Sequence, residues 1–154
     1  MAGRALLAFL ICPGIVAYGL PGLLIWSSTL RESSIRFLGM GAVVFGSGLL
    51  LWCSWAFYMV GRGTLAPWAP PQVLVRNGLY RFSRNPMYLA VALVLFGWAA
   101  CFQSLGLILY AISGTIAFHL RIVFGEEPWL AKRYGLEWAS YCASVPRWLK
   151  WQLK

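Results

Sequence analysis

Charged side chains are scarce in this chain of 154 residues. Only 11% of the residues are Asp, Glu, Lys or Arg, and there is one histidine, whereas about 25% of the residues in a soluble domain are charged. Hydrophobic residues make up 60%, and the mean hydropathy is +0.70. This composition excludes an ordinary soluble domain and a disordered chain. We therefore expect an all-α integral membrane protein with a single membrane domain.

Three long segments contain no charged residue at all. They cover residues 5–30, 37–61 and 85–120, and a membrane-spanning helix needs about 20 mostly apolar residues. The first two segments fit one span each, and the third fits two spans with a break at Gln103 and Ser104. The sequence therefore predicts four transmembrane helices, over residues 5–26, 37–60, 87–102 and 105–124.

Two features of these helices follow from their composition. The first apolar run continues to Trp26, which favours a retained helix, irregular at its Pro-Gly pairs, over a cleaved signal peptide. The second helix carries a small-residue face, which suits close packing within the monomer or against another copy. The glycines of this face are Gly39, Gly41, Gly46 and Gly48.

Two basic segments lie outside the predicted helices. The loop 61–86 contains four arginines, no acid and several prolines, which disfavour a long helix. The tail 126–154 mixes cations with Tyr and Trp, as is typical of a cytoplasmic or interfacial helix. Basic segments stay on the cytoplasmic side, so we expect both in the cytoplasm and the protein in an inner or plasma membrane. Residues 1–60 would form a two-helix hairpin, and residues 61–154 the functional core.

Several signatures of soluble functions are missing. The net charge of +9 has no nucleic-acid motif beside it, and basic membrane edges face anionic headgroups instead. The four cysteines form no C-x-x-C pair, so neither a disulfide framework nor a zinc site is expected. No P-loop is present, nor a G-x-G-x-x-G after a strand, which excludes a soluble dinucleotide site. We expect no nucleic-acid partner and no metal.

The segment from Leu74 to Tyr88 is the first candidate site. Asn77 and Gly78 form a turn signal, and Pro86 suits the first position of the third helix. Free backbone N–H groups at that helix start, together with the nearby arginines, suit a carboxylate or a phosphate. A basic loop that rests on lipid headgroups explains the same residues equally well.

Glu126 and Glu127, directly after the fourth helix, are the second candidate. Adjacent carboxylates repel each other, and one of them would gain by binding a cationic ligand. The alternative is a solvated pair at the start of the tail helix, where the helix dipole favours negative charge. By helical spacing His119 shares a face with Glu126. The alternative for His119 is a packing role. Too few ligands are present for a metal site.

The order of these motifs resembles a known group of membrane enzymes. G-x-Y-R at 78–81 and R-N-P-M-Y at 84–88 precede the predicted helical hairpin, and E-E-P at 126–128 follows it. An R-x-P-x-Y motif followed by E-E across such a hairpin resembles the membrane methyltransferases. That superfamily includes isoprenylcysteine carboxyl methyltransferases and phosphatidylethanolamine N-methyltransferases. The likeness covers about residues 61–149.

The resemblance implies a cofactor, an acceptor and a set of site residues. The cofactor is S-adenosylmethionine, and the acceptor is a membrane lipid or a lipidated small molecule methylated at the cytoplasmic face. Glu126 or Glu127 would hold the ammonium group of the cofactor. The implied catalytic residues are Arg84, Asn85, Glu126 and Glu127. The residues implied to line the cofactor are Leu74, Val75, Gly78, Tyr80, Arg81, Tyr88, His119, Glu126, Glu127, Tyr141 and Arg147.

Details of the motifs favour a phospholipid amine as the acceptor. Asn85 stands where isoprenylcysteine enzymes usually carry histidine, and Ala90 replaces a glycine that usually permits a close backbone approach. An amine must lose a proton before it attacks, and Glu126, Glu127 and His119 are the available bases. The alternatives are an isoprenylcysteine-type carboxyl methyltransferase, a non-enzymatic or degenerate membrane scaffold, and an NADPH-dependent protein similar to sterol reductases.

Overall fold

The described part of the chain is helical throughout its regular structure. The computed structural model describes residues 10–25, 34–59 and 73–149, and none of these residues forms a strand. The predicted all-α class is therefore confirmed for them. The helices are α1, which is π-helical over Leu10–Gly19 and α-helical over Leu20–Ile25, α2 (Ser34–Met59), α3 (Pro86–Phe102), α4 (Leu105–Arg121), α5 (Glu127–Tyr134) and α6 (Leu136–Ser144), with a π-turn at Ile122–Glu126 and a 3₁₀ turn at Gly78–Arg81.

Two helical stretches are long and apolar enough to cross a membrane. They are Ser34–Ala56 and Leu105–Tyr134, whereas the apolar helices Gly14–Ile25 and Pro86–Phe102 are shorter. Large apolar side chains point outward, and Phe37 is 75% exposed. In a bilayer such side chains contact lipid instead of water, so their position on the surface of the protein is not costly. That all four helices span the membrane stays a prediction.

The turn between α3 and α4 lies where the polar pair predicts it. Gln103 adopts a left-handed conformation with a φ of 47°, and Ser104 is the extended residue before α4. At the other end of α3, Pro86 occupies the first helical turn, where its missing N–H is no loss. The helix therefore begins one residue earlier than predicted and ends at the predicted Phe102.

Three glycines bring α2 and α3 into close contact. A β-carbon on Gly39 would lie 2.8 Å from the carbonyl oxygen of Gly97, and one on Gly97 would lie 2.9 Å from the oxygen of Gly39. A β-carbon on Gly46 would lie 2.8 Å from Val94 and 3.0 Å from the carbonyl oxygen of Ala90. Only glycine permits such a close approach of two helix backbones.

The other two glycines of α2 take no part in this interface. Apart from the adjoining backbone of α2 itself, none of the described residues has an atom within 4 Å of a β-carbon built on Gly41 or Gly48. The predicted small-residue face is therefore divided, with Gly39 and Gly46 against α3 and the other two facing away. A close backbone approach also occurs at Ala90, and the glycine that permits it is Gly46 on the facing helix.

Side chains of α3 and α4 donate hydrogen bonds to the backbone carbonyl groups of α1 that Pro21 leaves without a donor. Proline has no N–H, so it leaves unpaired the carbonyl four residues earlier in an α-turn and five residues earlier in a π-turn. Nε1 of Trp98 donates to the carbonyl oxygen of Ala17 at 3.0 Å, and the hydroxyl of Tyr110 donates to that of Val16 at 3.0 Å. The irregular first helix is thereby confirmed and tied to its neighbours.

The C-terminal part of the chain corrects the prediction in two places. The fourth helix does not end at Phe124, because the π-turn continues it into α5. The tail is not one helix, because Gly135, with a φ of 51°, separates α5 from α6. After α6 the described chain runs without regular structure to residue 149. The tail therefore contains two short helices and an irregular end.

The helices also show which parts of the chain pack together. α2 shares its most extensive interface with α3, and α1 contacts α3 and α4. The division of the chain at residue 60 into a hairpin and a core stays a prediction. The predicted start of helix 1, residues 26–33, residues 60–72 and residues 150–154 lie outside the described part of the chain.

Candidate active site

The loop before α3 folds onto two small apolar clusters. Leu74 lies in one cluster with Trp138 of α6, and Val75 lies in the other with Cys53 of α2. Gly78 has a φ of 62°, a conformation that favours glycine, so the predicted turn is confirmed. The loop therefore packs against both α2 and α6, and it fixes the start of α3 beside the tail.

A hydrogen bond fixes α6 on the 3₁₀ turn. The hydroxyl of Tyr141 donates to the carbonyl oxygen of Tyr80 at 2.7 Å, and both side chains are buried. Burial raises the pKa of Tyr80 and raises the pKa of Tyr141 to about 12, so both hydroxyls stay protonated near neutral pH. Two residues expected to line a cofactor thus join the loop to the tail, and their role toward a cofactor stays a prediction.

Two arginines bind Glu127 from separate segments of the chain. Arg147 donates two hydrogen bonds to the carboxylate, from Nε at 2.8 Å and from Nη2 at 2.7 Å. Nη1 of Arg84 lies 3.1 Å from Oε1 of the same group, and the side chains of Arg84 and Glu127 are only 13% and 17% exposed. The hydrogen bonds that Arg147 donates to Glu127 raise the pKa of Arg147, so its guanidinium group keeps its charge. The two-point, charge-assisted contact between Arg147 and Glu127 is of the strong kind.

Backbone contacts hold the tail against the start of α3. The side-chain amide of Asn85 donates to the carbonyl oxygen of Arg147 at 3.1 Å, and the backbone N–H of Arg84 donates to that of Pro146 at 3.0 Å. The buried hydroxyl of Ser83 donates to the Arg147 carbonyl at 3.3 Å and accepts the N–H of Asn85 at 3.0 Å. Asn85, expected to be catalytic, therefore makes a structural contact.

The guanidinium of Arg84 has contacts on several sides. Nη1 donates to the sulfur of Cys142 at 2.8 Å, and Cζ lies 5.6 Å from the centroid of the Trp138 ring. Nε is buried, and none of the described residues accepts a hydrogen bond from it. A buried donor without a partner costs free energy, so an anionic ligand would gain by binding there.

Glu126 has partners different from those of Glu127. The hydroxyl of Tyr88 donates to Oε1 of Glu126, and Nε of Arg121 donates to the same oxygen at 2.9 Å. No residue in the described ranges hydrogen-bonds Oε2, and the side chain is 34% exposed. Glu126 therefore keeps one carboxylate oxygen open to a ligand.

The π-turn explains why two adjacent glutamates contact different groups. A hydrogen-bonded ring of a π-helix contains one more residue than that of an α-helix, so the side chains that follow are rotated. Glu126 ends the π-turn and contacts Tyr88 of α3, whereas Glu127 begins α5 and contacts Arg147 of the tail. Such π-turns are frequent at functional sites.

Two other predicted site residues have different surroundings. The ring of His119 stacks on Trp148, with 5.9 Å between the centroids, so this histidine packs against the tail. Arg81 is exposed and lines a surface pocket together with Arg76. The charged cluster is therefore built mainly from Arg84, Tyr88, Glu126, Glu127 and Arg147.

Sequence reasoning missed four residues that shape this cluster. A signal was available for two of them. Ser83 lies just before the predicted helix start, and Arg121 is the first cation after a long charge-free segment. The other two are ordinary helix residues, and their contacts depend on how α6 packs. The four residues are Ser83, Arg121, Trp138 and Cys142.

The cluster offers groups for both charges of a zwitterionic ligand. Nε of Arg84 is a donor for an anion, and Oε2 of Glu126 is an acceptor for a cation or a proton. The ring of Tyr88 provides a face that attracts a cation. Across the described segments, no group of three or more His, Cys, Asp or Glu side chains is placed to hold a metal ion. The arrangement suits binding and positioning of a charged small molecule.

Comparison with known proteins gives the family. Comparison with curated proteins and with solved structures yields no match. The model of the phospholipid methyltransferase family matches residues 34–137, which is more than half of the chain. The match begins with α2, in which the sequence motifs show no signal, and it ends before Tyr141 and Arg147. It contains both the R-N-P-M-Y segment and the Glu-Glu pair, so the predicted membrane methyltransferase superfamily is confirmed and the chain belongs to the phospholipid methyltransferase family.

Proposed function

We propose that the protein transfers a methyl group from S-adenosylmethionine to the amine headgroup of a phospholipid at the cytoplasmic face of the membrane. The phospholipid methyltransferase family supports a membrane methyltransferase. One observation carries the proposal: Tyr88 binds Glu126 and Arg84 binds Glu127, which unites the two motif segments in one cluster. The first of these pairs is separated by 38 residues in the chain.

The groups of the cluster fit the charges of the cofactor. S-adenosylmethionine carries a carboxylate, an ammonium and a sulfonium. The buried Nε of Arg84 suits the carboxylate, and the ring of Tyr88 suits the sulfonium. Both oxygens of Glu127 already bind arginines. Arg147 contacts both oxygens, and Arg84 contacts one of them. Glu127 therefore orients Arg84 in this proposal instead of holding the ammonium group.

Glu126 is the group that takes up the proton of the acceptor. S-adenosylmethionine, when bound, supplies an electrophilic methyl group on sulfur. An ammonium has no lone pair, so the acceptor nitrogen attacks only as a free amine. Oε2 of Glu126 accepts that proton, while Tyr88 and Arg121 hold Oε1 and so fix the orientation of the carboxylate. The remaining contribution is alignment of the nitrogen with the methyl group.

Binding of the cofactor is the first test. Calorimetry on the purified full chain in nanodiscs would compare S-adenosylmethionine with NADPH. We expect Arg84→Ala to weaken binding of S-adenosylmethionine by about tenfold or more, as the loss of a charge-assisted hydrogen bond predicts. Arg133→Ala is the matched control, because Arg133 stacks on Trp129 outside the cluster.

The other outcomes of the binding experiment favour the alternatives. Binding of NADPH but not of S-adenosylmethionine would support a protein similar to sterol reductases. If the folded protein binds neither compound with lipid present, the non-enzymatic scaffold is supported. Equal effects of the Arg84 and Arg133 substitutions would remove Arg84 from the cofactor site.

Glu126→Gln separates proton transfer from cofactor binding. Transfer of a labelled methyl group to phosphatidylethanolamine should fall by about 100-fold at saturating cofactor, within the range of general-base effects. The deficit should shrink as the pH rises, because more of the amine is then unprotonated in solution. Unchanged turnover would rule out Glu126 as the base.

Two further results of that experiment would change the assignment. A loss confined to cofactor affinity would place the cofactor ammonium on Oε2 of Glu126. Methyl transfer to a prenylcysteine carboxylate, with none to the amine, would support the carboxyl methyltransferase, since a carboxylate needs no base.

A further inference from the structure

A surface pocket lies beside the candidate active site. Its volume is about 320 Å³. Two of its lining residues, Tyr141 and Val145, are buried in the cluster that joins α6 to the loop, so they form a fixed floor. The lining residues are Arg76, Arg81, Ser140, Tyr141, Ser144 and Val145.

Positive charge dominates this pocket. Arg76 pairs with Glu137 at 2.8 Å, and the two side chains are 47% and 43% exposed. Such an exposed pair contributes little and exchanges partners readily. Arg81 forms no hydrogen bond or ion pair with any of the described residues. Two guanidinium groups therefore face one carboxylate, and one of the two is uncompensated.

The C-terminal end of α6 forms another wall of the pocket. Free carbonyl groups at a helix C-terminus disfavour an anion. Here the hydroxyl of Ser144 donates to the carbonyl oxygens of Ser140 and Tyr141, and the N–H of Val145 also donates to Tyr141. These bonds reduce the negative potential of the wall. The exposed hydroxyl of Ser140 has no partner in the described part of the chain and is able to donate to a ligand.

Exposed apolar residues flank the charged ones. Phe82 follows Arg81 directly and is 54% exposed, and Leu136 precedes Glu137 and is 91% exposed. Cations next to exposed apolar side chains are typical of a surface that contacts the membrane interface. The anion that such a pocket meets is the phosphate of a lipid headgroup, in preference to a soluble phosphate.

We propose that this pocket binds the phosphodiester of the phospholipid acceptor, with Arg81 as the main ligand and Arg76 and Ser140 as further donors. A guanidinium group matches phosphate oxygens through two parallel hydrogen bonds. The proposal rests on the proposed function, because the same lipid presents its amine to Glu126. It assigns Arg81 to the acceptor, whereas the family resemblance places this residue at the cofactor.

One segment of α6 links the pocket to the charged cluster. Tyr141 lines the pocket, and its neighbour Cys142 contacts Arg84. The same segment of α6 therefore contacts both the pocket and the charged cluster. In an ethanolamine headgroup only two carbons separate the phosphate oxygen from the amine, so the phosphate must bind close to the reacting nitrogen.

A comparison of two amines tests the proposal. Dihexanoylphosphatidylethanolamine and octylamine both carry a primary amine, and only the first carries a phosphate. We expect Arg81→Ala to raise the KM for the phospholipid about tenfold, as the loss of a charge-assisted hydrogen bond predicts. The KM for octylamine and the Kd for S-adenosylmethionine should stay unchanged. Arg81→Lys should give a smaller increase because it keeps the charge.

Other outcomes of this comparison overturn the proposal. Arg133→Ala removes an exposed arginine outside the pocket, so an equal effect of this control would mean that net charge alone is responsible. An equal increase of KM for both amines would exclude recognition of the phosphate. Weaker binding of S-adenosylmethionine would place the cofactor carboxylate in the pocket instead. Tight binding of inorganic phosphate that the phospholipid does not displace would identify a site for a soluble anion.

A binding measurement distinguishes failure of this proposal from failure of the proposed function. Binding of dihexanoylphosphatidylethanolamine to the full chain in detergent requires no turnover. If no amine is methylated while Arg81→Ala still weakens lipid binding about tenfold, the proposed function fails and the pocket assignment holds. If methyl transfer occurs and Arg81→Ala changes neither lipid binding nor KM, the pocket assignment alone fails.

Discussion

The α2–α3 interface and the charged cluster are held together by different physical means. At the interface, Gly39 and Gly97 let two helix backbones touch without any charged group. In the cluster, Glu127 joins Arg84 to Arg147 across segments that are distant in the chain. Lipid is as apolar as the helix surface, so packing shape specifies the first contact. Charge and hydrogen-bond direction specify the second.

The largest expected effect is a loss of stability at the interface. Gly39→Ala or Gly97→Ala places a β-carbon within 3 Å of backbone atoms on the facing helix. Overpacking costs about 1–3 kcal/mol. We expect the upper end, about 3 kcal/mol of the free energy of unfolding, because backbone atoms cannot move aside singly. Thermal unfolding in detergent measures this loss.

Gly41→Ala and Gly48→Ala are the matched controls on the same helix. Apart from the adjoining backbone of α2, their β-carbons meet no described atom within 4 Å, and alanine in a helix is favoured over glycine by about 0.5–1 kcal/mol. Their stability should therefore be unchanged or higher. If Gly41→Ala is as damaging as Gly39→Ala, close packing against α3 is not what the glycines of α2 provide.

A smaller effect is expected from breaking the cluster. Arg147→Ala removes two hydrogen bonds to Glu127. We expect a loss of about 2 kcal/mol of unfolding free energy, the middle of the range for hydrogen bonds to charged groups. Arg147→Lys should recover part of it, because lysine keeps the charge but not the two-point geometry. Chemical denaturation and proteolysis of the tail measure the change.

Salt sharpens the contrast between the two regions. The effect of Arg147→Ala should decrease at high ionic strength, because salt screens partly exposed charges. The effect of Gly39→Ala should not change, because no charge is involved. If both effects respond to salt alike, the two regions are not stabilised by different interactions.

The smallest effect is expected where side chains meet the backbone of α1. Trp98→Phe removes the donor to the carbonyl oxygen of Ala17 and should cost about 1 kcal/mol. In a Pro21→Ala background the new N–H at position 21 is a substitute donor, so Trp98→Phe should cost less. A double-mutant cycle by thermal unfolding measures this coupling. Independent, additive effects would mean that Trp98 does not compensate for Pro21.

Local chemistry explains which helix ends were predictable. Pro86 and the polar pair after Phe102 mark the ends of α3, because each limits the backbone conformations of its neighbours. The predicted end of the fourth helix at Phe124 is wrong, because a π-turn leaves the apolar pattern intact and has no residue signature. The two halves of the tail depend on Gly135, whose left-handed conformation shows only in the structure.

The candidate site was predictable as two motifs and not as a set of contacts. Family resemblance selects Arg84, Tyr88 and the two glutamates as a group. It does not separate Glu126, which keeps a free oxygen, from Glu127, which two arginines occupy. That distinction arises from the rotation introduced by the π-turn. The pocket at Arg81 is likewise formed only when α6 packs against the loop.

The sequence by itself determined the helical membrane character, the break before α4 and the family, because charge-free runs, prolines and ordered motifs act locally along the chain. Only the tertiary structure decided that Gly39 and Gly46 face α3 while Gly41 and Gly48 do not. It alone decided how the charges of the cluster pair. These outcomes depend on distances between segments far apart in the chain, which local composition does not encode.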